Sequence, residues 1–336
     1  MRLQNVLLLI SVSLLCASLS SHAAERATLT AGPRILLAEE GSGLWALTVR
    51  RDPQGGGLGP SGGVAVDSDG YIYVPDTFGN KILVFTKDGQ RHQVLTTEEL
   101  YHPIKIIVDE DGVLHVDAGI KNKGEYTQYT VTRHKDRWAF SQKQKAELAP
   151  GAGQPDMALS MTAPFGRDGL KYLTATTGYR YKLQLVDKDN NFVKFVPCRW
   201  HDQKGRYYKH RYDVELDKNV VSVLDESGKL LGEIVKGEDD ILSEPVMYRG
   251  WVYFVEKKDG KCCLLRRYAQ DGTLEHEIEL VGLEEERAHL GPLLVISPNS
   301  EYCFVRDAGG KPGFLQLWIQ RMTYREEKAE QEEGSK

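Results

Sequence analysis

Between Gly59 and Gln90 the chain reads GPSGGVAVDSDGYIYVPDTFGNKILVFTKDGQ. Three short apolar runs, residues 64–67, 71–74 and 81–85, are separated by Asp69-Gly70 and by the polar stretch 76–80, and Asp88-Gly89 follows the third. Runs of four or five residues bounded by Gly and Asp have the length of strands. Gly tolerates the positive φ that a tight hairpin needs. The runs are apolar at nearly every position instead of at alternate ones, so the sheet they form is covered on both faces. The pattern predicts three antiparallel strands and a turn into a fourth, stacked between sheets of the same kind: one blade of a β-propeller.

The unit recurs. Pro60, Pro103, Pro155, Pro245 and Pro292 each precede an apolar run, at spacings of 43, 52, 90 and 47 residues. The 90 is two periods with one marker missing, which gives six units of about 46 residues, the length of a four-stranded blade. Turn pairs follow each first strand (Asp69-Gly70, Asp111-Gly112, Asp168-Gly169, Arg249-Gly250, Asn299-Ser300) and precede the last (Asp88-Gly89, Asp189-Asn190, Ser227-Gly228, Asp271-Gly272). An acid ends the second strand: Asp76, Asp117, Glu256 and Asp307. The predicted units are 55–97, 98–150, 151–200, 201–237, 238–282 and 283–322. The last holds three strands, so 34–37 or 44–50 is expected to supply its fourth and close the ring. The expected fold is all-β, a six-bladed propeller of four-stranded antiparallel blades over residues 34–325, after a linker at 25–33 and before a charged tail at 326–336. Unit four is irregular at 201–211 (HDQKGRYYKHR), and unit two at 121–128.

Composition adds location. Residues 6–19 are a mainly apolar run after Arg2, ending in the small residues of Ser21-His22-Ala23-Ala24. That is the form of a cleaved signal peptide, 1–24, and too short for an ordinary membrane span. The mature chain is expected to be exported, periplasmic or extracellular, with no transmembrane segment, and monomeric. Leu15 before Cys16 argues against lipidation. Four cysteines then remain, Cys198, Cys262, Cys263 and Cys303, in no zinc-like spacing. Either they are small buried residues or two of them form a disulfide. The net charge of −5 argues against nucleic acid as a partner.

Residues 60–90 closely resemble an NHL repeat: Pro60, then GVAVD, DG, YIYVPD, then Asn80 to Phe85 and a final Asp88-Gly89. Units two, five and six resemble it more loosely. The resemblance implies a six-bladed NHL-type propeller, in agreement with the six units counted from spacing. It leaves function open, since similar propellers serve as interaction scaffolds, RNA-binding surfaces, lactonase-like hydrolases and amidating lyases.

Candidate chemistry belongs at one mouth of the channel, where Asp76, His102, Asp117, Glu244, His289 and Asp307 are expected. Convergent carboxylates would hold Ca²⁺; alternatively each accepts backbone N–H groups in its own turn. His102, His210 and His289, from three units, would make a three-ligand zinc site of the kind the resemblance to amidating lyases implies, or they are ordinary loop residues. The stretch 199–212 (RWHDQKGRYYKHRY) interleaves basic and aromatic residues. With Tyr179 and Arg180, its Arg206, Tyr208, His210 and Arg211 would form a lip for a protein, peptide or carbohydrate ligand. The other reading is a solvated insertion with its tyrosines packed on the outer strands. No GxSxG elbow is present, and no catalytic residue or cofactor is assigned. The first expectation is a binding scaffold without cofactor or metal; the alternative is a Ca²⁺- or Zn²⁺-dependent hydrolase or lyase.

Overall fold

The computed structural model describes residues 25–51, 57–58, 63–108, 113–118, 125–147, 171–177, 180–186, 192–196, 200–201, 206–213, 215, 218–225, 227–237, 246–258, 261–283, 294–307 and 315–326. All the regular structure among them is β. Strand β1 is Glu25–Glu39, and the short pair β2 (Arg50–Arg51) and β3 (Gly57–Leu58) follows. The first sheet is β4 (Ala65–Val66), β5 (Ile72–Asp76), β6 (Lys81–Phe85) and β7 (Arg91–Leu95), antiparallel in that order. The second is β8 (Pro103–Val108), β9 (Leu114–Ala118), β10 (Glu125–His134) and β11 (Arg137–Glu147). The third has three described strands, β12 (Lys171–Thr177), β13 (Arg180–Val186) and β14 (Phe192–Val196). The fourth is β15 (Trp200–His201), β16 (Tyr207–Asp213), β17 (Lys218–Leu224) and β18 (Leu230–Gly237). The fifth is β19 (Val246–Tyr248), β20 (Trp251–Lys258), β21 (Lys261–Tyr268) and β22 (Leu274–Val281). In the sixth, β23 (Leu294–Ile296), β24 (Tyr302–Asp307) and β25 (Gln316–Glu326) are completed by β1, which lies antiparallel to β25. The start of β1 also pairs in parallel with β22, Glu25 opposite His276 through Thr30 opposite Val281, so the fifth and sixth sheets are continuous.

Local chemistry explains the hairpins. Five turns share one geometry, starting at Asp67, Thr86, Asp225, Ala269 and Ser297: the first residue's N–H donates to the fifth's carbonyl, and the fourth's N–H donates to the first's carbonyl. This closes a three-residue loop with a bulge, and its fourth position needs positive φ. Gly70, Gly89, Gly228 and Gly272 take it at 77–88°, and Ser300 at 63°. In four of them the first side chain also accepts the fifth N–H: Asp67 from Tyr71 (2.8 Å), Thr86 from Gln90 (3.1 Å), Asp225 from Lys229 (2.9 Å) and Ser297 from Glu301 (3.1 Å). Arg249-Gly250 is a two-residue loop with both φ positive, 47° and 89°.

Apolar clusters sit between sheets. One joins the sixth sheet and β1 to the first through Leu37, Ile319, Val305, Leu83 and Phe85. Others join the first to the second, the fourth to the fifth and the fifth to the sixth.

Three expectations change. Residues 25–33, expected to be a linker, belong to β1. The Gly32-Pro33 pair makes a bulge, where the register against β25 shifts between Ala31 and Arg34, and a Cβ on Gly32 would meet the Arg321 carbonyl oxygen at 2.9 Å. Residues 44–49 are loop, not strand. Leu47 is buried, its N–H donates to Glu39 O (2.8 Å), and Trp45 packs on Phe85, so burial satisfies these apolar side chains without a ladder. Residues 207–211, read as part of an interruption, belong to strand β16, which pairs along its length with β17.

Candidate functional site

Asp76 ends β5 with no solvent exposure. Its carboxylate accepts the Thr48 N–H (3.1 and 3.2 Å), the Thr48 hydroxyl (3.0 Å) and the Gly79 N–H (3.2 Å), and pairs with Lys81 Nζ at 3.3 Å. Lys81 also donates to Gly43 O at 3.3 Å. One carboxylate therefore ties the 43–48 loop, the 77–80 turn and β6 together. Position 79 must be glycine, because a Cβ there would run into the Asp76 carboxylate.

The next residues reach the second sheet. Thr77 is buried and donates its hydroxyl to Pro103 O at 2.8 Å. Asn80 (φ 53°) accepts the His102 N–H at 2.7 Å, and His102 itself has φ 45°. Two left-handed non-glycine residues joined by a hydrogen bond store strain of order 1–3 kcal/mol each, and such strain concentrates where side chains are aimed for function. What it aims is a ring cluster. The His102 ring stacks on Tyr101 (centroids 4.0 Å apart, 22° between planes) and meets Phe78 edge-on at 5.7 Å. All three are half-buried.

The other sequence candidates are distributed differently. Glu256 is buried and bonded to Arg266 Nη1 at 2.6 Å, while Arg266 Nε reaches Glu277 at 2.8 Å. Burial opposes the charge on Arg266, but the two carboxylates outweigh it and hold its pKa above the usual value. Tyr208 is fully buried in the cluster with Val221, Val252 and Phe254. Arg206 is buried against the Arg249-Gly250 turn, so close that a Cβ on Gly250 would meet its Nη2 at 2.8 Å. These two side chains therefore form no exposed lip: Tyr207 and Tyr208, successive residues of β16, are both buried, so the strand is covered on both faces at its start. His210 and Arg211 lie mid-strand opposite Val221 and Val220, and Arg180 begins β13 opposite Thr177. Asp117 is paired in β9 and Asp307 ends β24. Tyr179, Glu244 and His289 lie outside the described residues, as do Cys198 and the expected signal peptide.

For Ca²⁺ or Zn²⁺ the described residues offer no fit: no group of three or more His, Cys, Asp or Glu side chains is placed to hold a metal ion. A cation at Asp76 would have to displace Lys81 and the Thr48 and Gly79 donors. Cys303 is a free thiol, and burial pushes its pKa up to about 11. Sequence reasoning found Asp76 and His102 but missed Thr48, Lys81, Phe78 and Tyr101. Tyr101-His102-Pro103, two rings before a proline, carried the one signal that would have drawn attention to the cluster.

No family model matches the chain, and no curated protein matches it. Several solved structures resemble it. A putative oxidoreductase (glucose dehydrogenase) from Thermus thermophilus is 13% identical, with a TM-score of 0.46 over 87% of this chain and 99% of that one. Regucalcin, a calcium-binding protein from Agrobacterium tumefaciens, is 12% identical at 0.42, over 88% and 96%. A catalytically inactive virginiamycin B lyase from Staphylococcus aureus, with quinupristin, is 12% identical at 0.42, over 88% and 100%. Likeness at this level assigns no function to the chain. No helix among the described residues is long and apolar enough to cross a membrane.

Proposed function

We propose that the chain is an exported, NHL-like six-bladed β-propeller that serves as a binding scaffold, with its ligand surface at the junction of the first two blades. The spacing of six units supports the ring, as does the packing of the sixth sheet on the first through Leu37, Ile319 and Phe85. The observation that carries the binding reading is the Phe78–His102–Tyr101 cluster, held half-exposed by left-handed Asn80 and His102. Rings fixed in this way stack on a peptide side chain or a sugar at little entropic cost. The Asp76–Thr48–Lys81 network holds the turn that carries Phe78 and Asn80 and is structural.

The test is binding to peptide and glycan arrays by the mature chain and by Tyr101→Ala/His102→Gly. Glycine keeps the φ that position 102 requires, so the variant should melt within a few degrees of wild type while its array signal falls by about tenfold or more. Retention of the full signal by the double variant, or no signal from wild type on either array, would contradict the reading.

A further inference from the structure

A second concavity lies away from that cluster, on the flank where β1 meets the first sheet. It is a cleft of about 350 Å³ bordered by the C-terminal half of β1, the loop that follows it, and the turn into β7. The principal side chains are Leu36, Glu39, Glu40, Leu44, Trp45 and Arg91. Leu44 is 65% exposed, high for a leucine in a loop whose Leu47 is wholly buried. Arg91 holds its guanidinium 6.0 Å from the Trp45 ring and has no carboxylate partner among the described residues. Glu39 is oriented by the neutral amide of Gln316, at 2.5 Å, and Glu40 accepts the Leu315 N–H at 3.2 Å. The cleft therefore carries fixed carboxylates, a guanidinium and an apolar wall of Leu36, Leu44 and Trp45.

We infer that this cleft binds a zwitterion with an apolar side chain, that is, a free α-amino acid or a very short peptide. Arg91 presents a planar fork that suits a carboxylate bidentately. Glu39 complements an ammonium, and the two leucines and Trp45 take the side chain. A sugar would leave both signs of charge unanswered, and an internal stretch of a longer chain would bring neither terminus. The volume falls at the lower end of small-ligand pockets, enough for a dipeptide. The site does not depend on the Phe78–His102–Tyr101 reading.

Isothermal titration with Leu-Leu, and with the same dipeptide acetylated and amidated at its ends, tests this. Leu-Leu is expected to bind with a Kd of about 1 mM or tighter, and the capped form about tenfold or more weaker. Arg91→Gln, an exposed substitution, should weaken Leu-Leu by about tenfold and leave the capped form unchanged. Leu44→Ser serves as a second variant and should weaken both. Absence of binding at about 10 mM, equal binding of the capped peptide, or an Arg91→Gln protein with wild-type affinity would each overturn the proposal.

Discussion

The junction between the first and second sheets and that between the fifth and sixth meet one requirement by different means. At the first, the β10–β11 turn docks on β7. His92 Nε2 donates to Asp136 O at 2.9 Å, and the Gln93 amide both donates to Trp138 O (2.9 Å) and accepts the Trp138 N–H (3.0 Å), in place of a backbone ladder. The turn at Gly272 sits on β18 in the same way, where a Cβ would run into the Glu233 carbonyl. The turn at Gly89 sits on β1 beside Ile35. The sixth sheet cannot offer such a turn to β22, because its last two strands, β25 and β1, come from opposite ends of the chain. There the strand itself makes the contact, as Glu25 to Thr30 pair in parallel with β22. The difference teaches that the outer contact between neighbouring sheets is the constant, and the hairpin only its usual vehicle. It also gives Glu25 to Thr30 a task, to fasten the fifth and sixth sheets together.

The largest effect should follow from breaking that fastening. Leu29 is fully buried between β22 and β25, and Leu29→Asp places an unpaired charge there. We expect a loss of about 4 kcal/mol or more in urea unfolding, enough to broaden the transition. Next comes a matched pair of turn glycines. Gly272 and Gly228 have the same backbone, φ 88° and 85°, but a Cβ on Gly272 would meet Glu233 while one on Gly228 would meet nothing described within 4 Å. Gly228→Ala should cost about 1 kcal/mol, the conformational term alone, and Gly272→Ala about 2–3 kcal/mol. Equal costs would remove the docked-turn account. Comparable to Gly228→Ala is Gln93→Ala, which deletes two side-chain bonds at the edge and should cost about 1 kcal/mol, with the Trp138 backbone left to water.

Much of this was readable in the chain because the signal was local. Asp-Gly and Ser-Gly pairs at the fourth position of a bulged turn are needed wherever that turn occurs, so the period of the units and their edges could be counted. What failed was non-local. Gly32-Pro33 carries the signature of a break, and only the partner strand β25, nearly three hundred residues away, makes it a bulge. Tyr207 to Arg211 look solvated because three of the five are basic, yet β16 buries Tyr207 and Tyr208. The same holds at the candidate surface. Asp76 and His102 stood out by position, whereas Thr48, which supplies two of the donors that hold Asp76, is unremarkable in sequence and comes close only through the fold.

Amide hydrogen exchange of the protein tests most directly whether Glu25 to Thr30 fasten the fifth and sixth sheets together. If they do, the amides of Ala27 to Thr30 exchange as slowly as those of β25 and open only with global unfolding. If instead they exchange at the rate of a frayed terminus while β22 and β25 stay protected, the N-terminal strand carries no such load and the account is wrong.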